Sequence, residues 1–493
     1  MSDPQTSSIA SLQYGPDPGY SPLRSSLASW LSTCYQPQNT YPPHGFPTLT
    51  TAEQICVTGG ASQNLANILQ GYTDPGYTRC VWAVSPCYFL AVPIFEDAGF
   101  STKNGKLKDV REGEDGEGVD LGELERGIRE VEEGGKWPEK PVYKTPGPHR
   151  KCYKHIIYLV ATSANPSGIT TSLRRRHDLV QLARKYDALI ISDDVYDFLQ
   201  WPVLSSPSEA STSLPLTTPL PRLSDIDISL GPSSHDLALS AHYNRTRSPA
   251  SGKPNDSTPN GQHHNDMADD LQDMQPLFPD HTIQDLHFGH AVSNGSFSKL
   301  LSPGLRTGWT HSTPAFAHGL SQTGSTRSGG APSQYCAALI HEILSSGELE
   351  RHLTEVVRPA LQRRHALMLS TVKSILGPLG ITCIEDNRTG PHRTADSPPL
   401  FGGYFLWLRL PDTLPFTAKE VAERALEEEQ LVVSPGENAE VSGEGEGGEA
   451  RVRFPKCMRV CFSWEEEGDL VEGVERLGAV IRRMVEESKE GEG

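Results

Sequence analysis

Lys299 stands in NGSFSKLLSPGLRTGW, residues 294–309, hemmed by Ser296 and Ser298 and followed by the Pro303-Gly304 pair and Arg306. An amine so placed can condense with a carbonyl, and an arginine beyond a tight turn can hold an anion. Spacing alone allows a rival. Ser296-Phe297-Ser298-Lys299 has the S-x-x-K form of serine acyl-enzymes, but that chemistry also needs S-D-N and K-T-G, and the chain has neither; YKTPG is the nearest approach and is broken. A surface lysine, the other alternative, needs neither flanking serines nor Arg306.

Other polar residues close short apolar runs. Gly60-Ala61-Ser62-Gln63 opens a helical pattern and can turn backbone N–H groups and a hydroxyl toward an anion. Tyr88, in SPCYF, can stack on a flat ligand, and Asn165, in SANPSG, can hold a ligand oxygen. Taken singly, Ser62 is an ordinary N-cap, Tyr88 a core residue and Asn165 the start of a proline turn. ALIISDDVYDFL is sharper: Asp193 and Asp194 end a run apolar enough to be buried, where a carboxylate needs a cationic partner or takes up a proton. Tyr196 follows three residues after Asp193. Together these groups answer to pyridoxal 5'-phosphate, which needs an amine for its aldehyde, an anion for its pyridine nitrogen, donors for its phenolic oxygen, a ring to stack on and an anion cradle. No GK[ST] motif occurs, which argues against a nucleotide triphosphate loop.

Such residues must be carried by a sheet whose strands end on one edge. QICVTGG, RCVWAVSP, HIIYLVATSANPSG, ALIISDDVYDFL and HAVSNGSFSK read as strands, separated by the helical stretches ASQNLANILQGY, AVPIFEDAGF and SLRRRHDLVQLARKYD. This alternation predicts an α/β fold, a mostly parallel sheet flanked by helices, whose ligands sit at the carboxyl ends of the strands. After Ser333 the chain turns helical and then gives the strand-like GGYFLWLRL, QLVVSPG and KCMRVCFSW before a last helix, so a smaller α+β C-terminal domain is expected. The division is an N-terminal segment 1–48, a large domain 49–340 and a small domain 341–493. Residues 104–150 read as a surface excursion, helical at LGELERGIREVEEG. Residues 202–289 are rich in Pro, Ser, Thr, Asp and His, and their composition predicts a disordered insertion. The His263-His264 pair and the HFGH run lie in it without Cys/His spacing and read as solvated bystanders; no metal site is expected.

In chain order YGPDPG with LRSSLASWL, TGGASQNL, SPCYFLA, SANPSG, ISDDVYDFL, SFSKLLSPGLRTGW, GGYFLWLRLP and MRVCFS make the sequence resemble the class I/II aminotransferases of fold type I. Within them it is similar to the kynurenine/2-aminoadipate aminotransferase group, especially its fungal members. The resemblance implies an enzyme of amino-acid metabolism that moves an amino group from an L-amino acid, of 2-aminoadipate, kynurenine or aromatic type, to a 2-oxo acid by a ping-pong Schiff-base mechanism. It implies that Lys299 binds the cofactor covalently and shuttles the proton, that Asp193 pairs with the ring nitrogen, and that Asn165 and Tyr196 hold the phenolic oxygen. Ser62, Gln63, Ser296, Ser298 and Arg306 would cradle the phosphate, Tyr88 would stack on the ring, and Arg459 would grip the substrate carboxylate together with Asn165. Tyr14 would reach the phosphate of a neighbouring subunit, which implies a homodimer with shared active sites. Only thirteen residues precede Tyr14, where relatives carry a longer arm that covers substrate; either the sequence is truncated there or the enzyme lacks that lid. Related lyase or decarboxylase chemistry, and a non-catalytic cofactor-binding role, are the alternatives; the second would call for a basic helix-turn-helix module, and none precedes Tyr14.

The formal charge of -18, from 62 acidic and 44 basic residues, argues against binding to nucleic acid or anionic membrane. Nine cysteines without a CxxC pair suggest reduced thiols, and neither a signal sequence nor an apolar run of membrane-spanning length occurs. A cytoplasmic location is the corresponding expectation.

Overall fold

The computed structural model of the chain describes residues 11–35, 49–147, 149–247, 286–327, 332–383, 399–441 and 452–490. Helix α1 (Ser21–Cys34) is followed by β1 (Ile55–Thr58), α2 (Ala61–Tyr72), β2 (Cys80–Ser85), α3 (Val92–Asp97), β3 (Leu107–Arg111), α4 (Leu121–Gly134), β4 (His155–Leu159), α5 (Leu173–Lys185) and β5 (Ala188–Asp193). Next come β6 (Gln200–Pro202), α6 (Leu223–Ser229), α7 (Ser234–Arg247), β7 (Ala291–Ser296), β8 (Gly308–His311) and α8 (Pro314–Ser321). The rest is α9 (Gln334–Ser345), α10 (Glu348–His352), α11 (Arg358–Ile375), β9 (Thr382–Cys383), β10 (Leu400–Gly402), β11 (Phe405–Arg409), α12 (Ala418–Glu429), β12 (Ser434–Pro435), β13 (Cys457–Cys461) and α13 (Glu467–Glu490).

Local chemistry sets these helices. In α2 the apolar positions Leu65, Ile68, Leu69 and Tyr72 fall at helical spacing, and all four are buried. Asp120 caps α4 by accepting from the Glu123 amide at 2.9 Å, and Ser172 caps α5 by accepting from the Arg175 amide at 3.2 Å. Arg184 and Lys185 in the last turn of α5 complement its negative end.

The large sheet runs β1-β8-β7-β5-β4-β2-β3, with β8 antiparallel to both neighbours and the remaining pairs parallel. Every residue of β2, β4 and β5 is buried. Alternate side chains enter different cores: Val81, Ile156, Leu189 and Ile191 pack on one face, Trp82, Ile157 and Ile190 on the other. That is why these strands read as continuous apolar runs. A second, antiparallel sheet has the order β12-β13-β11-β9, and β10 pairs with β6. A third core joins Leu23, Leu27 and Leu31 of α1 to Leu406 and Leu408 of β11 and Val474 and Val480 of α13.

Two expectations are corrected. The excursion over 104–150 contains an edge strand, β3, whose charged sequence LKDVR buries only Leu107 and Val110 deeply. The disorder expected over 202–289 does not hold for 202–247 or 286–289. Leu223 and Ile226 are fully buried in the sheet core. Asp227 accepts from Arg184 at 2.7 Å, and Arg222 pairs with Asp225 at 2.8 Å while its guanidinium lies 4.3 Å from the Tyr35 ring centroid. A polar composition is ordered here because its charges find partners in other elements. His290 of HFGH is likewise buried, not solvated: its ring bonds the Ala188 carbonyl at 2.8 Å and the Ser233 hydroxyl at 2.7 Å, and burial pushes its pKa down to about 4. His263, His264 and the rest of 248–285 lie outside the described residues.

Candidate active site

The carboxyl ends of β1, β2, β4, β5 and β7 deliver the residues expected from the sequence. After β1 the chain turns at Gly60, whose φ of 97° suits glycine, and α2 starts there without a side-chain cap. Arg306 adopts the left-handed conformation at φ 46°. It donates to the Ser298 hydroxyl at 3.2 Å, to the Pro303 carbonyl at 2.9 Å and to the Gly59 carbonyl at 3.2 Å. The Ser296 and Ser298 hydroxyls are 3.0 Å apart. A β-carbon on Gly60 would stand 2.7 Å from Arg306 Nη2, so only glycine lets the guanidinium close against the start of α2. Ser62 and Gln63 lie exposed on that first turn; Gln63 accepts from the Gly59 amide at 3.1 Å, and Ser62 hydrogen-bonds the Tyr88 phenol.

Asp193 is buried at the end of β5. One oxygen accepts from the Tyr158 hydroxyl at 3.0 Å, the other from Asn294 Nδ2 at 3.4 Å. Among the described residues no cation lies within salt-bridge distance of it. Burial pushes its pKa up to about 7, against the Tyr158 hydrogen bond and the charge of Lys299, which pull it down. Asp194 is also buried, but bonds Ser192 and neighbours Asp197 and Arg176; burial and Asp197 push it up to about 8.

Lys299 is half-buried in the turn after β7. Burial lowers its pKa, opposed by Cys461 and Asp193. Its amine lies 5.3 Å from the Tyr404 ring centroid, and its carbonyl accepts from the Tyr404 hydroxyl at 3.2 Å. Tyr404 meets buried Tyr196 edge-on at 5.4 Å. On β13, Arg459 donates to Asn165 Oδ1 at 3.0 Å, between the rings of Phe405 at 4.3 Å and Phe89 at 5.7 Å. Tyr88 is half-buried and lines a cleft with Tyr158, Val160, Ala164 and Asn165. Tyr14 is 92% exposed and takes no part in this cluster within one chain.

Sequence reasoning missed Tyr158, Asn294, Asn64 and Tyr404. Tyr158 and Asn294 sit inside strands that read as scaffold, and only a polar group within a fully buried run could have flagged them. Among the described residues no group of three or more metal-ligating side chains occurs.

This donor set suits pyridoxal 5'-phosphate. A buried carboxylate without an ion-pair partner matches a pyridinium nitrogen, an uncapped helix start closed by Arg306 and two serine hydroxyls matches a phosphate, and a desolvated amine matches an aldehyde. The chain belongs to the class I and II aminotransferases, whose family profile matches residues 5–206 and 264–477. It is an enzyme that uses pyridoxal phosphate to transfer amino groups between amino acids and 2-oxo acids. An uncharacterized protein of Saccharomyces cerevisiae is 31% identical over 480 residues, 96% of this chain and 87% of that one. An aromatic-amino-acid aminotransferase of Thermococcus litoralis is 23% identical, covering 96% and 80%. The kynurenine aminotransferase of Pyrococcus horikoshii has the same fold, with a TM-score of 0.61 at 21% identity over 97% and 83% of the two chains.

Proposed function

We propose that this transaminase takes an L-amino acid of the aromatic, kynurenine or 2-aminoadipate type as amino donor, and that the residues above carry the roles their positions suggest. The observation that carries this reading is the Arg459–Asn165 bond beside Phe89 and Phe405: a carboxylate-binding fork set against aromatic rings, with Phe89 36% and Leu90 50% exposed next to it. Arg459 takes the substrate α-carboxylate in two parallel hydrogen bonds, and the exposed apolar residues receive a long or planar side chain. A kynurenine enzyme among the fold neighbours and an aromatic-amino-acid enzyme among the relatives support the same class.

When bound, pyridoxal phosphate supplies an aldehyde for amines and a conjugated ring that spreads the charge left at the substrate Cα. Asp193 holds the ring nitrogen protonated, and Asn165 and Tyr196 bind the phenolic oxygen. Ser62, Gln63, Ser296, Ser298 and Arg306 anchor the phosphate while Tyr88 packs on the ring. Lys299 would hold the aldehyde, and its amine would serve as the base and acid that moves the substrate's Cα proton. Burial leaves more of that amine as free base near neutral pH.

We further propose division into an N-terminal segment 1–48, a large cofactor-binding domain 49–340 and a small domain 341–493. The enzyme acts as a cytoplasmic homodimer in which Tyr14 completes the partner's phosphate site; its 92% exposure supports this. No helix among the described residues is long and apolar enough to cross a membrane.

The test is to mix purified protein with a panel of amino acids and follow the cofactor spectrum together with the products. Conversion to the pyridoxamine form with oxo-acid release, fastest for kynurenine, phenylalanine, tyrosine or 2-aminoadipate, is the expected result. Release of ammonia and pyruvate would mean elimination, and a preference for alanine or aspartate would overturn the substrate class.

A further inference from the structure

We infer that Asn294, steadied by Asn64, is a positioning residue that turns the Asp193 carboxylate toward the cofactor's ring nitrogen and keeps it ionised. The inference rests on the assignment of Asp193 as the ring-nitrogen partner. The parallel register of β5 and β7 sets Asp193 opposite Asn294, and Asn294 is fully buried. Its amide nitrogen donates to Asp193 Oδ1 at 3.4 Å and to the Ala61 carbonyl at 3.0 Å. Its carbonyl accepts from Asn64 Nδ2 at 2.8 Å, and the same Asn64 nitrogen donates to the Thr310 hydroxyl at 2.7 Å.

One side chain therefore ties the carboxylate at the ring end of the site to Ala61, the first residue of the helix whose start faces the phosphate. An asparagine can do this because its amide has two N–H donors and an acceptor; leucine, of similar volume, has none. The pair is costly as packing, since two amides are buried in the sheet region and Asn64 Oδ1 has no partner among the described residues. With Tyr158 on Oδ2 and Asn294 on Oδ1, each carboxylate oxygen has a neutral donor of its own. The charge is thus oriented without being neutralised. At 3.4 Å the contact is long for a hydrogen bond.

The test uses the full-length chain freed of cofactor and titrated with pyridoxal 5'-phosphate by fluorescence from about pH 5.5 to about pH 9. In the parent, affinity falls as the pH drops through the titration of Asp193. In Asn294→Leu the midpoint of that fall should move up by about one pH unit, because a donor to the charged form is lost. Asn64→Ala, which frees the Asn294 amide to rotate, should move it the same way by less. Asn294→Thr, which suits a strand and restores a hydroxyl donor, should keep the parental midpoint. A uniformly weaker affinity with an unmoved midpoint in Asn294→Leu and Asn64→Ala would make the pair mere glue between α2 and β7 and overturn the inference. Should Asn294→Leu fail to fold, Asn64→Ala decides alone. Asp193→Asn separates the two levels: if it binds cofactor as the parent does at every pH, the ring-nitrogen assignment itself is wrong.

Discussion

Asp193 and Lys299 are both desolvated, but burial acts on them in opposite senses: it raises the acid toward neutrality and lowers the base. For the cofactor-free protein this has a consequence for stability. The folded Asp193, near 7, keeps a proton that the unfolded chain, near 3.8, has released. Folding therefore binds protons from about pH 4 to about pH 7, and stability falls as the pH rises through that window. Asp194, near 8, extends the window upward. A cationic ring nitrogen beside Asp193 would relieve the penalty. The rise in Tm on adding pyridoxal phosphate should accordingly be larger at about pH 8 than at about pH 5, as read by differential scanning fluorimetry; an equal rise at both would show that Asp193 does not face the ring. Lys299→Ala should still bind the cofactor but lose the borohydride-reducible attachment and slow turnover by at least about a thousandfold. Mass spectrometry after reduction checks this, and a retained attachment would point to another lysine.

At the level of elements, α6 belongs to the folded core and α7 is tied to it through buried Asp236, although their composition resembles a linker. Asp227 has no exposure, accepts from Arg184 at 2.7 Å and also accepts from the His290 amide. Asp236 accepts from the Ser233 hydroxyl at 2.7 Å and from the Phe288 amide at 3.2 Å. These bonds fasten the segment before β7 to the sheet that carries Lys299. Asp227→Ala would leave Arg184, only 13% exposed, without its carboxylate, a change that typically costs about 3–5 kcal/mol. Urea denaturation should register a loss of that size, whereas a loss below about 1 kcal/mol would mean that the segment packs loosely. Strands β2, β4 and β5 of the large sheet were legible because alternate residues enter two apolar cores, making runs such as HIIYL and ALIIS; β8, a four-residue strand, was not. The edge strand β3 was not, because it pairs on one side only and its outward positions carry lysine, aspartate and arginine.

For the whole molecule, the position of Tyr14 matters most. At 92% exposure it is far more open than the buried Tyr196, at 3%, as the role proposed for it in a partner's site requires. Lys299→Ala and Tyr14→Ala subunits, each poorly active alone, should regain activity when unfolded together and refolded as a mixture. A mixed dimer contains one site with the parental Lys299 and the partner's parental Tyr14. Activity no greater than the sum of the separate variants would place Tyr14 in its own subunit's site or outside the chemistry. The nine cysteines all lie among the described residues, and none of them forms a disulfide.

What the sequence by itself determined was the inventory: the strands and helices whose periodicity repeats within a few residues, and the lysine, aspartates, asparagine and arginines waiting at their ends. Those signals are local, and capping, alternation and apolar runs need no knowledge of distant partners. Only the tertiary structure decided which buried groups meet. Asn64 and Asn294 lie 230 positions apart, and Arg184 and Asp227, the ion pair that fastens α6, lie 43 apart; no nearby pattern foretells such contacts. The state of a buried charge depends on which donors surround it in space, so the contrast between Asp193, set against Tyr158, Asn294 and Lys299, and Asp194, set against Ser192 and Asp197, belongs to the fold rather than to the motif.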